Sequence, residues 1–224
     1  MRALALVVCA AAAACGEARA QQLHAYAAIA SDHVDRGVAL GGGAPLLQLG
    51  IERTGSSGVV AGAFATTLDR AWTRDRAAAS SEVDAYLGYD FGCGGACRAR
   101  VLATRYVFPG RRDADWTEWS VALAPHPRFG ASLAHSGHVY ALSFPGTTLE
   151  AWYEQPLSTS WTLGVSAGRI RTRFFDYGYG RVGATWRRGR LAFDVSYHAA
   201  DPEYRDNGFS DDLQHLVATL TWAH

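Results

Sequence analysis

Two stretches of the sequence bring serine, histidine and aspartate close together. Ser136 lies between His135 and His138, and Asp211 precedes His215 near the end of the chain. A hydrolase needs a nucleophile and a base within hydrogen-bond reach, and a third group that orients the base. Neither stretch carries a nucleophile-elbow motif or the spacing of metal ligands. We therefore predict no enzyme, no metal and no cofactor, and a hydrolase is the least favoured function.

A larger set of ionisable residues alternates with apolar neighbours. Such side chains can line a polar channel and filter solutes, or they can pair across a confined space and fill it, since a buried charge must be paired. The choice depends on the elements that carry them. The set is Glu82, Asp84, Asp90, Arg98, Arg100, Glu118, Glu150, Arg181, Arg187, Asp194 and His198.

The segments that carry these residues have apolar side chains at every second position. Period two indicates β-strands that face two different environments. No segment has helical spacing, and after residue 20 no apolar run approaches the roughly 18 residues of a membrane-spanning helix. About twelve strands are predicted, near 22–30, 46–53, 58–66, 82–91, 97–107, 116–125, 127–134, 147–154, 160–169, 179–187, 190–199 and 213–222.

Composition fits one all-β domain. The length of 224 residues is that of a single domain. The 21 Lys+Arg balance 21 Asp+Glu, which lacks the basic signature of a nucleic-acid binder. The 24 glycines and the 26 aromatic residues (10 Tyr, 9 Phe and 7 Trp) favour strands joined by many turns.

The first 20 residues have the pattern of a secretory signal peptide. A positive start is followed by an apolar run over 3–14 and an Ala-Arg-Ala cleavage site over 18–20, so we predict a signal peptide over 1–20 and a mature domain over 21–224. Lipidation of Cys15 is the alternative. In the oxidising compartment beyond the membrane, Cys93 and Cys97 are expected to form a structural disulfide. A metal or redox pair is the rival interpretation.

The predicted connections alternate in length. Short ones lie near 54–57, 93–97, 125–127, 155–159 and 188–189, and long ones near 31–45, 67–81, 108–115, 135–146, 170–178 and 200–212. Tight turns at one end and long loops at the other are typical of outer-membrane β-barrels, whose short turns face the periplasm. An even strand number then places both termini in the periplasm.

Aromatic residues fall at both ends of the predicted strands. Two girdles flanking an apolar band are expected at the two interfaces of a bilayer. A soluble β-sandwich or lipocalin-like barrel is the competing architecture, but it would expose more lysine than this chain, which has none. The periplasmic set is Phe91, Tyr153, Trp161, Trp186 and Trp222, and the outer set is Tyr106, Phe108, Trp116, Tyr179 and Tyr197.

Several motifs, in order along the chain, resemble one bacterial family. The stretch Ser31-Asp32-His33-Val34-Asp35-Arg36-Gly37 resembles the S-D-Y-x-x-R-G signature of the TorF-type porins, also called the Gcw_chp conserved hypothetical family. The segments over 57–62, 82–89 and 106–110, followed by 115–119, resemble further motifs of that family. His33 and Asp35 depart from the aromatic residues of the signature, and the chain ends two residues beyond Trp222 rather than on an aromatic.

The resemblance implies a barrel in the bacterial outer membrane that contacts lipid and lipopolysaccharide and is inserted by the barrel-insertion machinery. We predict a porin for passive diffusion of small polar solutes, with little charge selectivity because both signs occur. The alternative is a filled barrel, blocked by loops or by large residues such as Trp116 and Trp152, that serves as a structural or ligand-recognition scaffold through its outer loops.

Two local predictions concern charged residues near the outer rim. In the first-loop motif Ser31, Asp32, Arg36 and Gly37, an ion pair between Asp32 and Arg36 is expected to fix the loop. Arg105 falls on the lipid face near the rim unless a bulge in its strand turns it inward. The strand alternation leaves both options open, because arginine on the lipid face is costly only near mid-bilayer.

Overall fold

Twelve antiparallel strands close into a barrel in the structure, a computed structural model that describes residues 21–41, 44–68, 80–201 and 213–224. No helix in these ranges is long and apolar enough to cross a membrane. The barrel strands are β1 (Gln22–Ala30), β4 (Leu46–Thr54), β5 (Val59–Thr67), β6 (Ser81–Gly92), β7 (Arg98–Val107), β8 (Trp116–His126), β9 (Phe129–Ser136), β10 (Gly146–Pro156), β11 (Trp161–Thr172), β12 (Asp176–Arg188), β13 (Leu191–Ala200) and β14 (Gln214–Ala223); a small hairpin is formed by β2 (Val34–Asp35) and β3 (Val38–Ala39).

Each barrel strand pairs with its neighbours in the sequence, and β1 closes the barrel by pairing with β14. At this seam Ala27 lies opposite Trp222, and on its other side β1 pairs with β4. Closure leaves no unpaired sheet edge, so the backbone groups of the strands can cross an apolar medium. The predicted all-β barrel of about twelve strands is confirmed, and most predicted strand limits agree to within three residues.

The apolar side chains at alternate strand positions point out of the barrel. Leu87, Trp119 and Leu216 are 60%, 60% and 71% exposed, and they belong to a belt of exposed Leu, Ile, Val, Phe, Trp and Tyr that encircles the wall. A soluble barrel would turn these faces inward and leave polar residues outside. The soluble alternative is therefore wrong, because the apolar faces of a closed barrel can be covered only by lipid or by other apolar chains.

The five connections at one end are tight turns, as predicted. One of them contains the disulfide between Cys93 and Cys97, whose Cα atoms are 5.1 Å apart. At the opposite end the connections are longer, with one exception. Strands β11 and β12 extend the same hairpin to Thr172 and Asp176, so only residues 173–175 join them and the long loop predicted over 170–178 is wrong.

The β2–β3 hairpin, which period two did not reveal, folds from the first outer loop into the barrel. Its base is closed because the N–H of Leu40 donates to the carbonyl of His33 at 2.7 Å. Val38 and Leu40 join a buried apolar cluster inside the outer half of the barrel. Its other members are Leu68, Phe108, Trp116, Val139, Ile170, Phe175, Tyr177 and Tyr179.

This cluster corrects the predicted outer aromatic girdle. Phe108, Trp116 and Tyr179 are buried inside, and the ring of Tyr106 stacks on that of Trp116 with centroids 4.0 Å apart. Only Tyr197 of that set is exposed on the outside. Aromatic type and strand-end position do not tell which face a ring occupies, and here these rings fill space beside the inserted hairpin. The predicted periplasmic aromatic residues occupy strand positions that face outward, and Tyr153, Trp161 and Trp222 are exposed.

Candidate lumenal site

All eleven ionisable residues predicted to line a pore lie on the inner face of their strands. Their positions alternate with exposed apolar residues in the same strands. Two of them lie at the periplasmic rim: Arg187 is exposed, and Arg98 donates to the carbonyls of Gly95 and Cys97 in the disulfide-bonded turn. The remaining nine occupy the interior of the barrel. Their two arginines, Arg100 and Arg181, pair with carboxylates, and so does Arg36, which lies outside the predicted pore-lining set.

In the periplasmic half, Arg100 joins carboxylates from two other strands. Its guanidinium donates to both oxygens of Asp90, at 2.6 and 2.8 Å, and to both oxygens of Glu52, at 3.0 Å each. The hydroxyl of Tyr86 also donates to Glu52 at 3.0 Å. Bidentate pairs of this kind are among the stronger charged hydrogen bonds. Glu52 was absent from the predicted set, although its alternation between Ile51 and Arg53 would have placed it on the inner face.

Near the middle of the barrel, strands β10, β12 and β13 contribute two further groups. Arg181 donates to both oxygens of Asp194, at 2.9 and 2.8 Å, and Thr185 donates to the same carboxylate at 2.7 Å. The hydroxyl of Tyr179 donates to Glu150 at 2.8 Å. The first contact joins two adjacent strands, and the second joins strands that lie on either side of β11.

The tip of the β2–β3 hairpin inserts Arg36 between the walls. Arg36 donates to Glu118 at 2.7 Å, and the two side chains are only 12% and 7% exposed. Arg36 and Gly37 both have left-handed backbone conformations, with φ of 50° and 82°. A Cβ on Gly37 would lie 2.8 Å from the Cβ of Ala200, so glycine permits the close approach to β13.

The predicted ion pair between Asp32 and Arg36 is wrong. The turn at Arg36 and Gly37 directs the arginine inward to Glu118, which is 82 residues away in the sequence. Asp32 instead accepts hydrogen bonds from the N–H groups of His33 and Gly41, at 2.7 and 2.9 Å, and so holds the base of the hairpin. Beside it, burial lowers the pKa of the His33 imidazole.

Below the hairpin tip lies a cavity of about 360 Å³. Its wall includes three serine hydroxyls, from Ser120, Ser132 and Ser166. A space of this size admits a small organic molecule and its water, and it lies within the usual range of ligand pockets. The charged and ring-bearing residues of its wall are Asp35, Arg36, Glu118, Glu150, Tyr179, Arg181 and His198.

The serine and histidine candidates for catalysis do not form a catalytic pair. Ser136 points inward and donates to the carbonyl of Thr117 at 2.7 Å, whereas His135 points outward and contacts Thr147 at 2.9 Å. His138 contacts Ser136 through its backbone N–H rather than its ring. Asp211 lies outside the described residues.

Arg105 lies on the outer face of the wall without a bulge. The pairing of β7 with β6 and β8 is continuous, and the guanidinium of Arg105 contacts Asp115 at 3.3 Å and Thr117 at 3.2 Å. A carboxylate near the rim thus accompanies the charge where the cost of lipid exposure is small. The first of the two options predicted for Arg105 is confirmed.

Comparison with known proteins places this barrel among porin folds. The KdgM porin superposes with a TM-score of 0.57 at 7% identity, and the match covers 90% of this chain and 98% of that one. The NanC porin gives a TM-score of 0.59 at 8% identity, with the same coverages. A structure of the KdgM porin in complex with disordered oligogalacturonate gives 0.56 at 8% identity, over 90% of this chain and 98% of that one. At these identities the likeness concerns the fold.

The sequence matches a known family over its N-terminal part. The profile of a family described as a bacterial protein of unknown function, Gcw_chp, matches residues 14–142, which is more than half of the chain. No curated protein matches the sequence. The Gcw_chp resemblance is confirmed by this match, whereas the TorF name stays a prediction.

Proposed function

This chain belongs to the Gcw_chp family of bacterial proteins of unknown function, and we propose that it is an outer-membrane porin for small polar solutes. The observation that carries the proposal is a closed twelve-stranded barrel with an apolar outer wall and a polar interior cavity. An apolar wall fits a bilayer, and polar groups inside favour water and polar solutes over lipid.

The surroundings of the barrel follow from its outer face. The belt of exposed apolar side chains would contact lipid. At the outer end Arg169 and Arg171 are exposed on β11, where both pair with Asp176 and where they would meet lipopolysaccharide phosphates. Barrel-insertion machinery would fold the chain, with Trp222 exposed near its C-terminus as an aromatic signal. The signal peptide over 1–20 would deliver it; those residues lie outside the described ranges.

The route for solutes is narrowed in the outer half. The hairpin tip pairs with the wall through Arg36 and Glu118, and the apolar cluster surrounds it. In this proposal, passage requires solutes small enough to move past the hairpin, so the channel has a low conductance compared with wide porins.

The same cluster favours a second candidate function. If the hairpin always stays inserted in the lumen, the barrel is a filled scaffold whose outer loops recognise ligands. The observation in favour of this alternative is that Val38 of the hairpin is buried in one apolar cluster with Trp116 and Tyr177 of the wall.

Planar-bilayer conductance distinguishes the two functions. The mature protein, folded in detergent and verified by heat-modifiable gel migration, is added to a bilayer in potassium chloride. The porin proposal expects stepwise, ohmic openings of small size. A correctly folded barrel that stays electrically silent would overturn the porin and favour the scaffold.

A further inference from the structure

We propose that the lumenal cavity binds small organic cations, with the carboxylate of Glu150 and the ring of Tyr179 as its recognition groups. The inference deepens the proposed porin, since it rests on solutes reaching the lumen. It assigns a charge class to them and revises the expectation of little selectivity. The cavity that contains this site has a volume of about 360 Å³, which is enough for a small organic cation.

The pairing of charges in the lumen leaves one cavity carboxylate uncompensated. The interior arginines are all bound by carboxylates: Arg36 by Glu118, Arg100 by Asp90 and Glu52, and Arg181 by Asp194. Among the described residues, no arginine or histidine nitrogen lies within 4.0 Å of a Glu150 oxygen, and this carboxylate accepts a hydrogen bond only from the Tyr179 hydroxyl. Glu150 therefore presents a carboxyl group to the cavity without a cationic partner among the described residues.

The other charged residues of the cavity wall do not compensate the carboxylate of Glu150. Arg181 lines the cavity, but both oxygens of Asp194 hold its guanidinium, and Glu118 holds Arg36 at 2.7 Å. Asp35 adds another negative charge at the hairpin, 4.0 Å from Arg36. The ring of His198 contacts the Ser196 hydroxyl at 3.0 Å. One Arg36 nitrogen, Nη1, is buried without a hydrogen-bond partner, but two carboxylates, Glu118 and Asp35, lie beside that guanidinium. At Glu150 itself a carboxylate-bearing solute would be repelled, whereas an ammonium group would be attracted.

The donor set fits an organic cation better than a metal ion. Calcium takes six to eight oxygen ligands, and magnesium requires near-octahedral geometry. Glu150 provides one carboxylate, and the serine hydroxyls around it are spread over several strands. An ammonium group needs only a nearby negative charge and an aromatic face, and the Tyr179 ring can supply the latter through a cation–π contact.

Calorimetric titration of the folded, detergent-solubilised mature protein with choline chloride tests the site. Its uncharged carbon isostere, 3,3-dimethyl-1-butanol, tests whether the positive charge matters. The expected result is that choline binds and the alcohol binds at least about tenfold more weakly, as for the loss of one charged contact. Equal binding of the two ligands, or no binding of choline, would overturn the proposal.

Two variants locate the site. Glu150→Gln keeps the size of the side chain and an oxygen that accepts from Tyr179, and it should weaken choline binding about tenfold. Asp113→Asn removes the same charge from an exposed outer loop, where Asp113 pairs with Arg111, and should leave binding unchanged. An unchanged affinity in a correctly folded Glu150→Gln variant would contradict the assignment, as would equal losses in both variants.

A bilayer measurement separates this inference from the porin itself. Under a tenfold potassium chloride gradient, the reversal potential should indicate a preference for potassium, and Glu150→Gln should reduce that preference. Choline binding by a barrel that does not conduct would support the site and overturn the porin. Conductance with no choline binding and no cation preference would overturn the site and leave the porin standing.

Discussion

The outer and periplasmic halves of the lumen are built by the same twelve strands but are filled differently. In the outer half, Trp116, Tyr177 and Tyr179 point inward and pack around an inserted hairpin. In the periplasmic half, Trp161 points outward, and the interior holds the partly exposed network of Arg100, Glu52 and Asp90, to which Tyr86 donates through its hydroxyl.

If the proposed porin function is right, the difference indicates which part of the molecule controls passage. Alternation along the strands provides the barrel wall, whereas the hairpin of the first outer loop would provide the constriction. Its key ion pair, Arg36 with Glu118, is far more buried than the pair of Arg100 with Glu52, whose side chains are 35% and 22% exposed. A buried charge that loses its partner is much more costly than an exposed one.

Replacing residues 34–39 by Gly-Ser should have the largest effect on conductance. The ends of the hairpin are already adjacent, since Leu40 bonds to His33 at 2.7 Å, so a short bridge can close the gap. Removal of the constriction should raise single-channel conductance severalfold in planar bilayers, as expected when the narrowest section is widened. Unchanged conductance in a folded variant would mean that the hairpin is not the narrowest section of the channel. The two halves of the lumen would then not differ in their control of conductance.

Glu118→Gln should weaken the attachment of the hairpin to the barrel wall. It leaves the buried Arg36 guanidinium with only Asp35, 4.0 Å away, as a countercharge, and this loss costs up to about 3 kcal/mol. The free energy of unfolding in urea should fall by that amount, or the hairpin should leave the lumen and channel current should become larger and noisier. The double variant Arg36→Gln with Glu118→Gln should recover most of the lost unfolding free energy, because it removes the buried guanidinium together with its partner. Failure of the double variant to recover would show that the ion pair is not the cause.

The wall of the barrel was predictable from the sequence, because strand parity is a local property. Alternation placed Leu87 and Leu216 outside and Glu82 and Asp194 inside, and the structure agrees. Of the five aromatic residues predicted for the outer girdle, only Tyr197 lies on the outer face, and the other four lie inside the barrel. Trp116 belongs to a strand end where neighbouring loops, rather than lipid, offer apolar surface, and period two carries no information about loops.

The candidate site was predictable only in part. The sequence places Glu118, Glu150 and Arg181 on inner faces, but it gives neither their partners nor their distances, because these depend on the register around a closed barrel. The hairpin was missed since its strands have two residues each. Gly37 beside Arg36 was a usable signal for a left-handed turn, yet the direction of that turn depends on packing against Ala200.

Gly37→Ala tests whether close packing, apart from charge, holds the hairpin. The new Cβ would lie 2.8 Å from that of Ala200 and 3.1 Å from that of Tyr179, in a backbone with φ of 82°. Gly110→Ala is the matched control, since its φ is 86° and nothing lies within 4 Å. The control should lose about 1 kcal/mol of unfolding free energy through backbone strain, and Gly37→Ala about 2 kcal/mol. Equal losses in the two variants would mean that the hairpin shifts to accommodate the new Cβ at no cost, so close packing does not hold it in place.

Glu52→Gln should have the smallest effect, and it completes the comparison with Glu118→Gln. Both changes replace a carboxylate that binds an arginine, but Arg100 keeps both oxygens of Asp90 and is 35% exposed. Water and Asp90 compensate for the lost charge, so unfolding free energy should fall by about 1 kcal/mol or less. Single-channel conductance should stay close to that of the unmodified protein, because the periplasmic half is not the constriction. A loss as large as that of Glu118→Gln would mean that both halves are equally dependent on buried charge.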